Sequence, residues 1–380
     1  MTMVPVTWSN LKTDERLFVV YHRAIPLGCE GLAESAMLIP DRWGKYVPSG
    51  RCLMTEASRR ALDYQGEGVA VAELPPLNNG DVVLLDVHSR RLEVVFAARG
   101  TTNSLYVTNS CNSHCRFCPQ PSTPDDGCLY DIAEKIICLV KNPGECVNVT
   151  GGEPTIRRDR FVSLVKRFSE TWKTTKAFVL TNGRLLADAD YVDAVYSAID
   201  ATRIAFGIPL YSDSAIVHDR TVGVQGAFGQ TIRGLYNLAS KHAEIEIRFV
   251  VSKITYKRLP QLVEFIGRNL PFVTRIAVMG IEPMGRCRSN WADYWIDPED
   301  AMPYLERAVR ASENYNLDLV LYNMQLCCLP ERLRRYSCVS ISEWKRSYLD
   351  CCLQCPMKAD CGGFFASQNN PEYLPRRFAS

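Results

Sequence analysis

The residues best suited to chemistry in this chain are its cysteines, and their spacing matters more than their number. Cys111, Cys115 and Cys118 lie in the run Cys111-Asn-Ser-His-Cys115-Arg-Phe-Cys118. Three thiolates so spaced can wrap a cuboidal [4Fe–4S] cluster, each bound to a different iron. Cubane clusters usually take four cysteines, so a trio leaves one iron with an open position, as in a catalytic metal site. A zinc site would need a fourth ligand. His114 is the local candidate, but it shares a tight loop with Cys111 and Cys115, which makes joint coordination awkward.

Seven of the sixteen cysteines fall between positions 327 and 361. Cys352-Leu-Gln-Cys355 and Cys361 form C-x2-C-x5-C, with Cys327, Cys328, Cys338 and Cys351 upstream. A CxxC knuckle with remote cysteines ligates zinc or a second iron–sulfur cluster equally well. The ligand set expected here is Cys327, Cys352, Cys355 and Cys361, with Cys328 and Cys351 as adjacent rivals. Cys29, Cys52, Cys128, Cys138, Cys146 and Cys287 are scattered and read as small buried side chains. The N-terminal residues lack a basic segment followed by an apolar stretch, and no run is long enough to span a membrane, so a cytoplasmic protein is expected. Structural disulfides are rare in that compartment, which favours metal or redox roles for clustered thiols.

The elements that must position these residues show three regimes. Residues 1–100 carry short apolar runs, among them Leu17–Tyr21 and the pair 82–87 and 92–96 around His88-Ser89-Arg90-Arg91, a hairpin pattern. This segment is expected to be a small β-rich accessory domain. Residues 101–324 alternate strand-length apolar runs (105–108, 147–150, 177–180, 203–207, 246–251, 274–279) with helix-length amphipathic segments near 130–141, 159–171, 188–198, 226–241, 257–268 and 298–313. Six such repeats predict an α/β fold, a partial (βα)6 barrel, whose ligands gather at the C-terminal strand ends. Residues 325–380 are rich in Cys, Arg and Gly and weakly periodic, as a region organised around metal would be.

The cysteine trio follows the first strand candidate directly. The second runs into Gly151-Gly152-Glu153-Pro154, where glycines permit close backbone approach, and the third ends at Thr181-Asn182-Gly183. Arg248 lies within the fifth, where a cation could meet a carboxylate. CxxxCxxC after a first strand, with the aromatic Phe117 before the last cysteine, resembles the signature of the radical S-adenosylmethionine (SAM) superfamily. That resemblance implies SAM chelated to the open iron, and its reductive cleavage to a 5′-deoxyadenosyl radical. It assigns Gly151, Gly152, Glu153 and Pro154 to the motif that meets the SAM amino group. It also makes Phe117, Asn182 and Arg248 candidate pocket residues, and it makes C-x2-C-x5-C similar to the auxiliary-cluster extension of peptide-modifying members. Tyr211, His218, Asp219 and Cys287 read as structural.

Cys118-Pro-Gln-Pro-Ser122, Ser342-Glu-Trp-Lys345 and Asp360-Cys361-Gly-Gly-Phe-Phe-Ala-Ser367 resemble the His-Xaa-Ser system maturase of the HxsC type, over residues of about 80 to 367. The resemblance implies a small peptide or protein substrate with His-Xaa-Ser repeats, a second radical SAM maturase as partner and a flavodoxin- or ferredoxin-like reductant. A formal net charge of only +2 gives no basic surplus that would call for nucleic acid or an anionic membrane. The competing readings are a radical SAM enzyme acting on RNA or a small metabolite, and a non-catalytic zinc-binding interaction protein.

Overall fold

The computed structural model describes residues 77–86 and 91–378 together with the backbones of five strands nearer the N-terminus. The chain divides into two compact units. One comprises residues 1–105, 129–148 and 170–175, and the other residues 106–128, 149–169 and 176–380.

In the first unit, β1 (Val4–Ser9), β2 (Leu17–Tyr21), β3 (Ser35–Ile39), β4 (Cys52–Thr55), β5 (Gly68–Val71), β6 (Val82–Asp86) and β7 (Arg91–Phe96) close into a barrel in the order β1-β5-β4-β3-β2-β6-β7. Closure removes the open edges that short strands would otherwise present. The expected hairpin is β6 with β7, antiparallel from Asp86 opposite Arg91. The tip, His88 to Arg90, lies outside the described residues, as does Cys29. Asp81, just before β6, ties the preceding turn to the residues after β7, accepting from Asn78 N at 2.6 Å and from Ala98 N at 2.7 Å.

The second sheet has eight strands in sequential order: β8 (Asn103–Tyr106), β9 (Cys146–Thr150), β10 (Lys176–Leu180), β11 (Ile204–Pro209), β12 (Glu244–Val250), β13 (Arg275–Met279), β14 (Leu319–Tyr322) and β15 (Ser337–Cys338). Pairs from β10 to β15 are parallel. The six expected strands are present, and β14 and β15 extend the sheet. Four and two residues long, these two are too short for an apolar period to reveal. Helices α1 (Cys128–Leu139), α2 (Arg158–Thr171), α3 (Ala189–Ala198), α4 (Ala215–Val222), α5 (Ala227–Ala239), α6 (Leu259–Asn269), α7 (Gly285–Ser289), α8 (Trp291–Tyr294) and α9 (Pro298–Asn314) run between these strands, and α10 (Glu331–Arg334) precedes β15. Asp297 caps α9 by accepting from Glu299 N at 3.0 Å, with Pro298 in the first turn.

Alternation along β12 divides the sheet's two faces. Ile245, Ile247 and Phe249 are fully buried, whereas Glu246 and Arg248 share the opposite face. The inward layer is therefore partly charged, unlike the packed aliphatic interior of a closed barrel. A third, two-stranded sheet pairs β16 (Arg346–Ser347) with β17 (Phe364–Phe365) near the C-terminus.

Candidate active site

The loop from Asn109 to Pro119 leaves the C-terminal end of β8 and is held on every side by hydrogen bonds. At its start, Asp125 accepts from Thr108 Oγ1 at 2.6 Å, from Ser110 N at 3.1 Å and from Asn109 N. Burial pushes the Asp125 carboxyl up, but these bonds and that from Gly127 N outweigh it, holding the group below the usual carboxylate range. In the middle, His114 N donates to Val222 O at 2.9 Å and Arg116 N to Thr221 O at 3.0 Å, so the loop lies along the end of α4. At the far end, Arg286 N donates to Cys118 O at 3.0 Å. A Cβ on Gly285, whose φ is +53°, would meet that carbonyl at 2.5 Å, so only glycine allows this approach.

Cys111, Cys115 and Cys118 are each half-buried on this loop, and the His114 side chain is exposed. Burial pushes the Cys111 thiol up to about 11 and the Cys115 thiol up to about 12, and it raises Cys118 as well. Ser113 N donates to Cys111 Sγ at 3.4 Å, and Cys118 Sγ donates to Gln120 O at 3.0 Å. Phe117 turns inward against Tyr211, with ring centroids 5.1 Å apart, and against Tyr294 at 6.1 Å. Beside them Tyr211, Cys287, Trp291 and Tyr373 make an apolar layer that shields one side of the loop. Burial raises the Tyr211 phenol, reinforced by Cys115 and Cys118 and opposed by the Arg248 charge.

The Gly151–Pro154 turn packs directly on the cysteine loop. A Cβ on Gly151 would lie 2.5 Å from Thr108 O, and one on Gly152 2.4 Å from Ser110 O. Gly152 N donates to Thr108 O at 2.7 Å and Glu153 N to Ser110 O at 2.8 Å. The Glu153 side chain is fully buried. Its Oε1 accepts from Thr155 N at 3.0 Å, Thr155 Oγ1 at 2.7 Å and Thr181 Oγ1 at 2.6 Å, and its Oε2 from Asn182 N at 2.7 Å. Burial still pushes its pKa up. This carboxylate thus fastens the end of β9 to the turn after β10. Asn182 in turn reaches the cysteine loop through Nδ2, 2.6 Å from Asn112 Oδ1 and 4.0 Å from Cys111 Sγ.

Arg248 sits half-buried on the inner face of β12, with Nη2 3.4 Å from Met279 Sδ and Nη1 3.6 Å from Glu246 Oε1. Of the residues read as structural, Asp219 accepts from Gly226 N at 2.6 Å and Phe228 N at 2.7 Å, capping the start of α5. His218 is buried against Tyr211 and Phe228. Asp125 and Arg184, both central to the loop's geometry, escape a motif-based reading. Asp125 lacks a periodic context, and the one signal for Arg184 is its place directly after Thr181-Asn182-Gly183.

Toward the C-terminus, Cys327 and Cys328 share a turn. Their mutual interaction, aided by the Arg377 and Arg334 charges, holds Cys327 below the ordinary thiol range and Cys328 above it. Burial raises the Cys352 thiol, with smaller contributions from the neighbouring thiols. Cys355 N donates to Cys352 O at 3.2 Å, and Cys361 Sγ accepts from Gly363 N at 3.5 Å. Among the described residues, no three His, Cys, Asp or Glu side chains converge to hold a single metal ion. At the first loop the donor set and the glycine-cradled approach of two strand ends fit a multinuclear iron–sulfur group, in which each thiolate meets its own iron.

Three thiols thus stand at the end of the first strand of a mainly parallel α/β sheet. Residues 105–266 match the model of the radical SAM superfamily. The chain is similar to GTP 3′,8-cyclase of Peptoclostridium acidaminophilum, 31% identical over 112 residues, which covers 28% of this chain and 32% of that protein. It is also similar to a probable GTP 3′,8-cyclase of Saccharolobus islandicus, 28% identical over 185 residues, covering 47% and 56% respectively. The chain thus spans about a third to just over half of these relatives. Among solved structures, SuiB of Streptococcus suis bound to S-adenosylmethionine is 16% identical, covers 76% of this chain and 78% of that one, and superposes with a TM-score of 0.54. At that identity the likeness is one of fold. No helix among the described residues is long and apolar enough to cross a membrane.

Proposed function

We propose that the protein is a radical SAM enzyme that reductively cleaves S-adenosylmethionine and modifies a ribosomally made peptide or small protein. The observation that carries the first half is the convergence of three strand ends, with Cys111, Cys115 and Cys118 after β8, Gly151 to Pro154 after β9 and Asn182 after β10, joined by the bonds of Glu153 and Asn182. When bound, the cluster supplies the electron that breaks the SAM sulfonium and yields a 5′-deoxyadenosyl radical. The chain's residues hold and shield it. Cys111, Cys115 and Cys118 are its ligands, Gly151 and Gly152 bring backbone polar groups close, and Glu153 sets the turn that presents Asn182. Phe117 and its aromatic neighbours keep water from one side, and Arg248 offers a cation to the SAM carboxylate.

The peptide half rests on the Cys-rich C-terminal segment and on the stretches that resemble an HxsC-type maturase. There Cys327, Cys352, Cys355 and Cys361 are the proposed ligands of an auxiliary iron–sulfur cluster or zinc, a set that rests on their C-x2-C-x5-C spacing with an upstream cysteine. The division 1–100, 101–324 and 325–380 into accessory, catalytic and auxiliary segments belongs to the same reading, as does a flavodoxin- or ferredoxin-like electron donor. A small-metabolite substrate is the second reading, favoured by the curated relatives named GTP 3′,8-cyclase. The test incubates reduced, cluster-loaded protein and SAM with a synthetic His-Xaa-Ser peptide or with GTP, and measures 5′-deoxyadenosine and product masses. Peptide-dependent 5′-deoxyadenosine with a peptide mass change or deuterium exchange supports the proposal. Stimulation by GTP alone replaces its second half.

A further inference from the structure

The Cys111 arm of the loop is gripped by a guanidinium that no motif assigns. Arg184 stands one residue beyond the Asn182-Gly183 turn at the end of β10. Its Nη1 donates to the Asn112 carbonyl and, at 3.0 Å, to Ser113 Oγ, while Nε donates to Gln230 Oε1 on α5 at 2.7 Å. Its own N–H donates to Asn182 Oδ1 at 3.0 Å, and Asn182 Nδ2 meets the same Ser113 Oγ at 3.3 Å. Ser113 is only 5% exposed, and its amide is the one that donates to Cys111 Sγ. One planar fork therefore spans α5, the strand-end turn and the two residues that follow the first cysteine, a geometry suited to Arg and not to Lys. Among the described residues no carboxylate forms an ion pair with it, so its charge is directed at the cysteine loop.

Both effects bear on a cluster held at that loop. Hydrogen bonds to the cluster sulfurs and net charge close by set an iron–sulfur reduction potential, and partners of the ligand loop fix ligand orientation. A positive charge favours the reduced cluster, which carries one more negative charge. We propose that Arg184 is a positioning residue for the cluster: it fixes the Cys111 arm through Asn112 and Ser113, and its charge raises the cluster's reduction potential. This rests on the reading of Cys111, Cys115 and Cys118 as cluster ligands.

The test uses the full chain, reconstituted anaerobically, as wild type, Arg184→Gln and Arg184→Lys. Iron and sulfide per chain are measured first, and a redox titration followed by EPR gives the potential. With iron content unchanged, Arg184→Gln is expected to lower the reduced-to-oxidised ratio at fixed potential about tenfold, which for one electron is 59 mV. Arg184→Lys keeps the charge and is expected to recover most of that shift while broadening the EPR signal as the fork is lost. A fully loaded Arg184→Gln protein with the wild-type potential overturns the proposal. If Arg184→Gln does not retain iron, Ser113→Ala decides: it removes the shared acceptor and leaves the charge, so a smaller fall in potential supports the clamp and an unmoved potential refutes it. Wild-type protein that assembles no cluster overturns the reading of the three cysteines, and the proposal with it.

Discussion

Replacing Glu153 by glutamine tests whether this side chain works by fastening two strand ends together. Its carboxylate receives four hydrogen bonds, two of them from main-chain N–H groups that cannot turn away: Thr155 N on Oε1 and Asn182 N on Oε2. A glutamine in the same place must aim its amide nitrogen at one of these donors, whichever way it is flipped. One buried N–H is then left facing another donor, at about 1–3 kcal/mol. The remaining bonds drop from charge-assisted to neutral strength, and removing a buried charge offsets part of that loss. The net destabilisation is about 2 kcal/mol, a factor of roughly 30 in the folded-to-unfolded ratio. Urea unfolding of the iron-free protein followed by circular dichroism reads this directly, and iron retained after reconstitution reads its effect on the loop. Glu153→Gln with the wild-type midpoint and full iron would refute the fastening role.

Other consequences follow from the same geometry. Gly152→Ala puts a methyl group 2.4 Å from Ser110 O and 2.7 Å from Asn109 O, so the turn and the cysteine loop must part. Overpacking of this kind costs about 1–3 kcal/mol, and iron bound per chain should fall by more than half; unchanged iron and stability would contradict the close approach. Burial pushes His218 down to about 4 from 6.5, so the folded chain refuses a proton that the unfolded chain accepts. Stability from this group is complete above pH 6.5 and declines as pH falls toward 4, by about 1.4 kcal/mol per pH unit at most. His218→Gln should flatten that limb of the stability profile of the iron-free protein, and an equal slope in both proteins would exclude His218 as its source.

Much of the site could be read from residue order because its parts sit at strand ends. The cysteine trio, Gly151 to Pro154 and Asn182 each follow an apolar run, and a parallel sheet brings such ends together. What escaped the sequence has identifiable causes. Leu319–Tyr322 and Ser337–Cys338 are too short to show a period, so the sheet's last two strands were hidden. Asp125 and Arg184 act mainly through hydrogen bonds to residues distant in sequence, which leave no local pattern. Glu153 could be placed at the site by its motif, but only the structure reveals that its oxygens face Thr181 and Asn182. The apolar run 246–251 marked β12 as a strand, but the polar face made by Glu246 and Arg248 emerged only in the structure.

The most direct measurement of the central claim combines EPR of the reduced, reconstituted protein with 5′-deoxyadenosine released from SAM, for wild type and for Cys111→Ala, Cys115→Ala and Cys118→Ala. A reducible cubane and SAM cleavage are expected in the wild type, and loss of both in every variant. Cleavage that survives removal of any one of these thiols, or a wild-type protein without a reducible cluster, would contradict this expectation.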